Sequence, residues 1–440
     1  MNDASQYLAQ REEAWQSLVH VCRRWRSIVF GSPRHLKLQL VCLKNTPARD
    51  TLDVWPALPL IIESYHLYRL GSVDNVIAVL ERSDRVCQIN LPDVKSSYLE
   101  IILAAMQQPF PELTSLSLNP VGESVSVVPD SFLGGSAPRL KYLALEGIPF
   151  LGLPKLLLSA THLVDLHLTG IPHSGYVSPS AMVTALASST SLSSFWLQFE
   201  SPRSLPDRTS QHIPPLTRSI LPALTDLSFK GVSEYLEDFL ARIDAPQLAF
   251  LNTTFFNDIA FNTPQFIQFI SRTPTSKALE KAYITFSTGE AGLHFSSQTS
   301  GKGSVGVRIL CQGLDWQLSS LEQVCTSCFP PLSMLEDLCV SAYLRLDGQD
   351  NIESGLWLEL LHPFTTVKNL YLSEQIALRI GPALQELIGG IAIEVFPALQ
   401  NIFLKGLQPS GPVQEGIRQF VSSRQITGRP ITVSRWDDSD

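Results

Sequence analysis

Cys325 and Cys328 form a C-x-x-C pair, a spacing that zinc sites and redox-active dithiols both use. A structural zinc site needs a second pair of ligands, but Cys311 and Cys339 flank the first pair irregularly and no histidine has ligand spacing. Cys339 falls inside an expected strand, where a cysteine behaves as a small hydrophobic residue. We therefore predict no metal site at these cysteines.

The segment 300–306 reads SGKGSVG and combines glycines with a lysine, but it lacks the phosphate-loop order G-x-x-x-x-G-K-[ST]. We expect it to be a flexible insertion within a degenerate repeat. The nine histidines have no serine, cysteine or aspartate partner in a local catalytic signature, and no G-x-S-x-G occurs. The sequence thus predicts no catalytic residue and no cofactor, which indicates a protein that is not an enzyme.

The composition narrows the class of partner. The chain has 440 residues, 44% hydrophobic and 17% charged, and its net charge of −8 includes no long block of either sign. Such a charge predicts a protein partner, no nucleic acid and no membrane surface. The polar start and the lack of an apolar run of about 20 residues predict no export signal and no transmembrane helix. Seven irregularly spaced cysteines favour free thiols, so we expect a cytoplasmic or nuclear protein.

A repeated pattern, L-x-x-L-x-L after a small residue or proline, predicts the elements that would position any binding residues. Clear copies are FPELTSLSL (110–118), APRLKYLAL (137–145), ATHLVDLHL (160–168), LPALTDLSF (221–229) and FPALQNIFL (396–404), and weaker copies end at Leu91, Leu197, Thr253, Ile284, Val340 and Leu372. Successive copies lie 23 to 32 residues apart, except for 56 residues between Leu279 and Leu335. This gap predicts a degenerate unit near 305–310.

The spacing of the leucines has a physical reason. The last two leucines of each copy lie two apart on a strand and point to one side, while the first enters from the preceding turn. One copy cannot bury its apolar face alone, but copies stacked in parallel bury a continuous core, as in leucine-rich repeats. The pattern predicts an α/β leucine-rich-repeat solenoid with a parallel concave sheet and a helical convex side. The alternative is chance recurrence of the motif in a leucine-rich α/β protein.

The connecting segments have the apolar spacing of helices. In 232–243, apolar residues recur three and four positions apart, which predicts a helix with one apolar face. Further helices are predicted at 96–106, 179–188, 263–271 and 382–388, with a closing helix at 412–422 and a final strand at 431–434. Where simple leucine-rich repeats have an asparagine after the strand, this chain has glycine, as at Gly147, Gly170 and Gly231, so no asparagine ladder is expected.

Residues 18–36, LVHVCRRWRSIVFGSPRHL, resemble the second half of the F-box found in many fungal F-box and leucine-rich-repeat proteins. The resemblance covers about 25 residues and is followed by the repeats that such a family would have. It implies the substrate-recognition subunit of a Skp1-cullin-F-box ubiquitin ligase. In that role Leu18, Val21, Cys22 and Trp25 would contact a Skp1-like adaptor, and the repeats would hold the target.

The box departs from the family at its start, because residues 1–12 lack the usual Leu-Pro-containing helix. Trp25 could instead pack against the first repeats as an N-terminal cap, which would leave a stand-alone binding scaffold with no ubiquitin role. We expect a truncated F-box-like segment at 1–35, a solenoid of about 11–13 irregular units at 36–425, and a C-terminal strand with an acidic tail at 426–440.

The residues between the buried leucines are expected to project from the open, concave face. Alternate outward positions carry the aromatic residues Tyr142, His167, Trp196, Phe250, Tyr283, Tyr371 and Phe403. Charged residues lie among them, namely Asp165, Asp226, Lys230, Lys281, Asp337 and Lys405. Aromatic anchors with mixed charges favour a protein interface. The alternative is that aromatic residues simply suit strands.

Overall fold

A computed structural model gives the structure of the chain. It describes residues 14–31, 40–42, 49, 52, 58–63, 73–122, 127–202, 217–256, 263–273, 280–297, 303–328, 332, 335–342, 353–386, 395–405 and 412–436. The chain divides into two compact units, Met1–Asp165 and Leu166–Asp440, and each is described by itself.

The described part of the first unit is built on parallel strands that pair in sequence order. These are β1 (Leu40–Cys42), β2 (Leu60–Glu63), β3 (Val86–Lys95), β4 (Ser115–Val121) and β5 (Tyr142–Glu146). The helices are α1 (Ala14–Val21), α2 (Arg23–Gly31), α3 (Val73–Leu80), α4 (Ser96–Ala105) and α5 (Leu153–Ser159). After β2 the strands alternate with helices, as the repeat pattern predicts, except that a short 3₁₀ helix, Phe132–Gly135, lies between β4 and β5.

The second unit continues this alternation. Its strands are β6 (Asp165–Ile171), β7 (Ser194–Phe199), β8 (Ser219–Ile220), β9 (Asp226–Gly231), β10 (Ile243–Asp244), β11 (Phe250–Phe256), β12 (Lys281–Phe286), β13 (Ala291–Ser296), β14 (Ser304–Leu310), β15 (Asp337–Ala342), β16 (Asn369–Leu372), β17 (Asn401–Leu404) and β18 (Thr432–Arg435). Its helices are α6 (Pro179–Leu186), α7 (Ser233–Leu240), α8 (Pro264–Arg272), α9 (Leu314–Cys328), α10 (Ser354–Leu361), α11 (Glu374–Glu386) and α12 (Pro412–Ile426). The main sheet has the order β6-β7-β9-β11-β14-β13-β12-β15-β16-β17-β18, and β8 pairs with β10 separately.

The core lies between the strands and the helices. In β9, Leu227 and Phe229 are buried while the alternate residues are partly exposed, as a strand with one covered face requires. On α7, the residues three and four positions apart are the buried ones. Phe195 of β7 meets Phe239 of α7 with ring centroids 5.7 Å apart. The predicted α/β fold class, with leucine-bearing parallel strands backed by helices, is confirmed.

One segment of the second unit does not follow the predicted order. The copy ending at Ile284 was expected to stack directly on β11, but β14 occupies that place and β12 pairs with β15 instead. Between them β13 runs antiparallel to both β12 and β14, so the three strands form a meander. The gap of 56 residues therefore contains an inserted reversed strand as well as the expected unit at 305–310. Residues 300–302 lie outside the described residues, but Ser304–Gly306 begin β14 and are no loop insertion.

The helix predictions at 96–106, 179–188, 232–243 and 263–271 are confirmed to within three residues at each end. The prediction at 382–388 is wrong at its start, because α11 begins at Glu374 and contains Pro382 in its interior. Proline favours the first turn of a helix, which made it a misleading start signal here. Residues 387–388 lie outside the described residues. The closing helix and final strand are confirmed as α12 and β18, while 437–440 lie outside the described residues.

Two of the glycines that replace asparagine adopt left-handed backbone angles. Gly147 has φ of +64° and Gly170 has φ of +60°. Glycine and asparagine are the residues that tolerate this conformation best, which explains why one can stand for the other there. Gly231 has no such angle, and a side chain at its position would meet the Phe229 ring 2.5 Å away. Close packing accounts for this third glycine.

Within the described ranges, no helix combines the length and the apolar character that crossing a bilayer requires.

Candidate binding surface

The first concentration of exposed aromatic residues is the tryptophan cluster, which comprises His167, Trp196, Asp226 and Phe250. The His167 and Trp196 rings are stacked, with centroids 4.6 Å apart and planes inclined by 23°. The indole Nε1 of Trp196 donates a hydrogen bond of 3.2 Å to Oδ1 of Asp226 on the next strand. Trp196 is 37% exposed and Phe250 is 38% exposed. Two aromatic side chains thus flank one carboxylate on the sheet face that no helix of the described residues covers.

The carboxylate of Asp226 is unusual for its charge environment. Burial raises the pKa of Asp226, although the hydrogen bond from Trp196 and the charge of His167 act in the opposite direction. Among the described residues, no lysine or arginine forms an ion pair with it. Lys230 lies on the same strand, but its Nζ is placed over the Phe256 ring at 5.6 Å. The cluster therefore contains a partly desolvated carboxylate that has no ion pair with a lysine or arginine of the described residues.

The second concentration is the tyrosine cluster, which comprises Lys281, Tyr283, Tyr371, Phe403 and Trp436. Tyr371 and Phe403 are stacked, with centroids 4.6 Å apart and planes inclined by 11°. The Trp436 ring meets Tyr371 edge to face at 5.6 Å. The Nζ of Lys281 lies 5.4 Å from the Tyr283 ring centre and 5.2 Å from that of Tyr371. This lysine provides the cluster with its own cation.

The charges of the tyrosine cluster follow from its contacts. Burial alone would lower the pKa of Lys281, but its interactions with Tyr283, Tyr371 and Asp337 outweigh burial and raise the pKa. Lys281 is consequently charged at neutral pH. His294 on β13 lies beside Tyr283, with ring centroids 6.0 Å apart, and burial together with the charge of Arg308 lowers its pKa.

The strand register shows which predicted residues share a row. One row runs across the sheet through Trp196, Ser228, Asn252, Gly306, His294, Tyr283, Cys339, Tyr371 and Phe403. Phe250 is in the adjacent row, because it pairs with Asp226 and Ser304. The polar and small residues between Trp196 and His294 separate the two clusters. Tyr142 belongs to the first unit, where burial and the charge of Asp165 raise its pKa.

Two residues in or beside these clusters were not predicted. His294 was missed because a reversed strand was not expected at that place. Trp436 was read only as the start of an acidic tail, although it follows β18 as Lys405 follows β17, and the Lys405 Nζ lies 5.7 Å from its ring centre. Lys405 and Trp436 both directly follow a repeat strand, and this shared position could have predicted that they lie side by side.

A hydrogen-bonded ladder lies beside the tyrosine cluster, at the first outward position of each strand. Asn369 Nδ2 donates to Asp337 Oδ1 at 2.7 Å, and Asn401 Nδ2 donates to Asn369 Oδ1 at 2.8 Å. The hydroxyl of Thr432 continues the ladder by donating to Asn401. The glycines after the strands predict no asparagine ladder at that position, and the ladder seen here lies instead at the start of the strands.

The same register aligns the buried leucine triplets. Leu338, Leu370 and Ile402 are paired across β15, β16 and β17, and Val340, Leu372 and Leu404 are paired two residues further along. In the first unit, Leu116 and Leu118 pair with Leu143 and Leu145 in the same way. All of these side chains are buried, as is the leading residue of each copy that falls within the described residues, for example Leu113 and Leu140. The chain has a leucine-rich-repeat fold.

Comparisons with known proteins accompany this assignment. No family model matches the leucine-rich-repeat chain, and no curated protein matches it. Among solved structures, it is similar to the leucine-rich-repeat-containing protein LegL7 from Legionella pneumophila, with 16% identity, coverage of 87% of this chain and 97% of the other, and a TM-score of 0.29. It is also similar to TLR13 in a complex with ssRNA13, with 13% identity, coverage of 90% of this chain and 48% of the other, and a TM-score of 0.34. It therefore spans about half the length of TLR13, and both TM-scores are low, so the assignment rests on the aligned triplets.

Three described cysteines belong to the segment that the C-x-x-C motif singled out. Cys325 lies on α9, and Cys311, Cys325 and Cys339 are buried free thiols. Burial, with the charge of Asp315, raises the pKa of Cys311 to about 11, so its thiol stays protonated. Among the described residues, no group of three or more histidine, cysteine, aspartate or glutamate side chains is arranged to hold a metal ion.

The N-terminal helices carry the four residues that the F-box resemblance singled out. Leu18 is half-buried, Val21 and Cys22 are exposed, and Trp25 is 47% exposed. Residues 1–13 and 32–35 of the predicted segment 1–35 lie outside the described residues. The opposite side of the helix pair is buried through Val19 and Val29. An exposed apolar strip therefore runs along α1 and α2.

Proposed function

We propose that this protein is a non-enzymatic scaffold that binds a protein partner through the open face of the sheet in its second unit. The observation that supports this most is the pair of aromatic clusters on two adjacent rows of the sheet, each combined with charged side chains. Aromatic residues add contact area at a small loss of conformational entropy, and they dominate the energetics of protein interfaces. The strands hold the rings in fixed positions, so binding would require little reorganisation of the sheet.

Two features favour a protein over a nucleic acid as the partner. The net charge of the chain is −8, which opposes a polyanion. The lysines nearest the clusters, Lys281 and Lys405, already lie over aromatic rings of the chain itself. These clusters therefore do not form the continuous basic surface that binds a phosphate backbone.

The test is a pull-down with the double variant Trp196→Ala and Tyr283→Ala, which removes one anchor from each cluster. We expect it to lose the partners of the wild type, because truncating a central aromatic anchor costs about 2 kcal/mol or more of binding energy. Trp316→Ala is the matched control, since Trp316 is 62% exposed on α9, on the helical side. Unchanged partners in a folded double variant would contradict the proposal.

A more specific role is substrate recognition in a Skp1-cullin-F-box ubiquitin ligase. It is supported by the F-box resemblance together with the exposure of Val21, Cys22 and Trp25. In this role the protein would act in the cytoplasm or nucleus, with Skp1 bound at α1 and α2 and the target bound at the clusters. The alternative is a stand-alone scaffold in which these helices only cap the first repeats.

Co-purification with Skp1 separates the two roles. If the helices bind the adaptor, the full-length protein retains Skp1, and the double variant Val21→Asp and Trp25→Ala loses it because an apolar contact is replaced by a charge and a cavity. Ile28→Asp is the control, since Ile28 is exposed on the same helices but lies outside the four carried-over positions. The receptor role fails if no Skp1 is retained where an intact F-box protein retains it.

A further inference from the structure

The two aromatic clusters have corresponding layouts but different contents. Asp226 and Asp337 occupy the same row of the sheet, which runs through Asp226, Phe250, Ser304, Ser296, Lys281 and Asp337. Each aspartate therefore stands at the first outward position of its strand, next to aromatic rings. Beside Asp337 the chain supplies Lys281, directly in register and over the Tyr283 and Tyr371 rings.

The tryptophan cluster lacks the corresponding cation. The residues in register with Asp226 are Ser194 on one side and Phe250 on the other. Among the described residues, no lysine or arginine lies over the ring of Trp196 or Phe250. One oxygen of the carboxylate accepts the hydrogen bond from the Trp196 indole, and aromatic rings flank the carboxylate with no described lysine or arginine over them.

We propose that the tryptophan cluster receives a lysine or arginine side chain of the partner protein, placed over Trp196 and Phe250 and paired with the carboxylate of Asp226. This inference rests on the proposed scaffold function and specifies the chemistry of its partner. A cation over an aromatic face is attracted by the negative charge of the ring face, and a partly desolvated carboxylate strengthens that attraction. Trp is the best of the aromatic side chains for this purpose.

The exposure of the two rings agrees with this assignment. Trp196 and Phe250 are each more than a third exposed. Tyr283 and Tyr371, over which Lys281 lies, are less exposed than these two residues. His167 stacks on Trp196 and fixes the orientation of the indole. The hydrogen bond to Asp226 fixes it further, so the cluster is ordered before a ligand arrives. The site for a lysine or arginine side chain is therefore formed before the partner binds.

The experiment titrates the full-length protein with three blocked peptides, Ac-Gly-Gly-X-Gly-Gly-NH2, where X is lysine, arginine or glutamine. The readout is the indole ¹⁵N–¹H signal of Trp196, assigned with Trp196→Phe. We expect saturable shifts with lysine or arginine and none with glutamine. Asp226→Asn is expected to weaken binding about fivefold, through loss of the ion pair. Asp337→Asn, which removes the corresponding carboxylate where Lys281 is already present, is expected to leave the affinity unchanged.

Three results would overturn the assignment: equal shifts with the glutamine peptide, unchanged affinity in Asp226→Asn, or no saturable shift with any peptide. If spermidine binds as tightly as the peptides, the conclusion that the cation comes from a protein side chain is overturned. The outcome is separable from that of the scaffold proposal. Lost pull-down partners in Trp196→Ala and Tyr283→Ala, combined with a failed titration, would leave the scaffold standing and remove only the basic ligand.

Discussion

At the scale of single residues, Glu237 shows how one side chain can join two repeats. It lies on α7, and its two carboxylate oxygens accept hydrogen bonds of 2.8 Å from the backbone N–H groups of Gln265 and Phe266. These donors belong to the first turn of α8, whose own N-cap residue Thr263 makes no side-chain capping bond. The carboxylate therefore replaces the missing cap and places negative charge at the positive end of the helix.

Replacing Glu237 by alanine is expected to lower the free energy of unfolding by about 1–3 kcal/mol, because two helix-end donors lose their acceptor. Urea denaturation monitored by circular dichroism measures the change. Glu234→Gln, at an exposed position of the same helix, is the control and should have little effect. A loss no larger than that of the control would show that water satisfies the donors equally well.

The same carboxylate predicts a dependence of stability on pH. Burial raises the pKa of Glu237 above its ordinary value of 4.5, although the hydrogen bonds from Gln265 and Phe266 act in the opposite direction. Its folded state therefore holds the proton more tightly than its unfolded state. The resulting stability is fully present below pH 4.5 and is lost as the pH rises through the raised pKa. The stability of the wild type relative to Glu237→Gln should accordingly fall as the pH rises above 4.5, and a constant or rising difference would contradict the sign.

At the scale of the elements, the ladder from Asp337 to Thr432 binds the last four strands through side chains as well as backbone. Each asparagine donates to one neighbour and accepts from the next. Such a ladder is cooperative, because an inner member satisfies groups on two strands at once. It also keeps the adjacent Tyr371 and Phe403 rings in register.

Asn369→Ala is expected to destabilise the protein by about 2 kcal/mol, since it breaks two side-chain hydrogen bonds and leaves partners on β15 and β17 unpaired. Thr432→Ala, at the exposed end of the ladder, removes a link on one side only and should cost less. Denaturation midpoints of the two variants and the wild type give the comparison. Equal losses in both variants would mean that the ladder adds nothing beyond the backbone pairing.

At the scale of the whole molecule, the leucine spacing predicted the strands because burial of every second residue leaves a clear trace in the sequence. Leu335, Val367 and Leu399 are 32 residues apart, and each introduces a strand as expected. The reversed β13 could not be predicted, because side chains alternate with the same period in parallel and antiparallel strands. Its turn, around Gly289, also lacks the Asn-Gly or Asp-Gly signal of a two-residue hairpin.

The candidate site was predictable to a similar depth. Alternation along each strand identified the outward positions of Trp196, Tyr283 and Tyr371, because the faces of a strand follow from the leucine pattern. It did not show that the Trp196 indole reaches across to Asp226, or that Lys281 covers two tyrosines, since those contacts depend on side-chain reach between rows. Contacts of this kind require coordinates.

The meander of β12, β13 and β14 has a consequence of parity. Of its three strands, two run parallel to the rest of the sheet and one runs antiparallel. The chain therefore leaves the meander in the same direction as it entered, and the repeats that follow start at the same edge of the sheet as those before. With two strands in place of three, every later repeat would start at the opposite edge of the sheet. Insertions or deletions at this place are therefore compatible with the later repeats only when they add or remove an even number of strands.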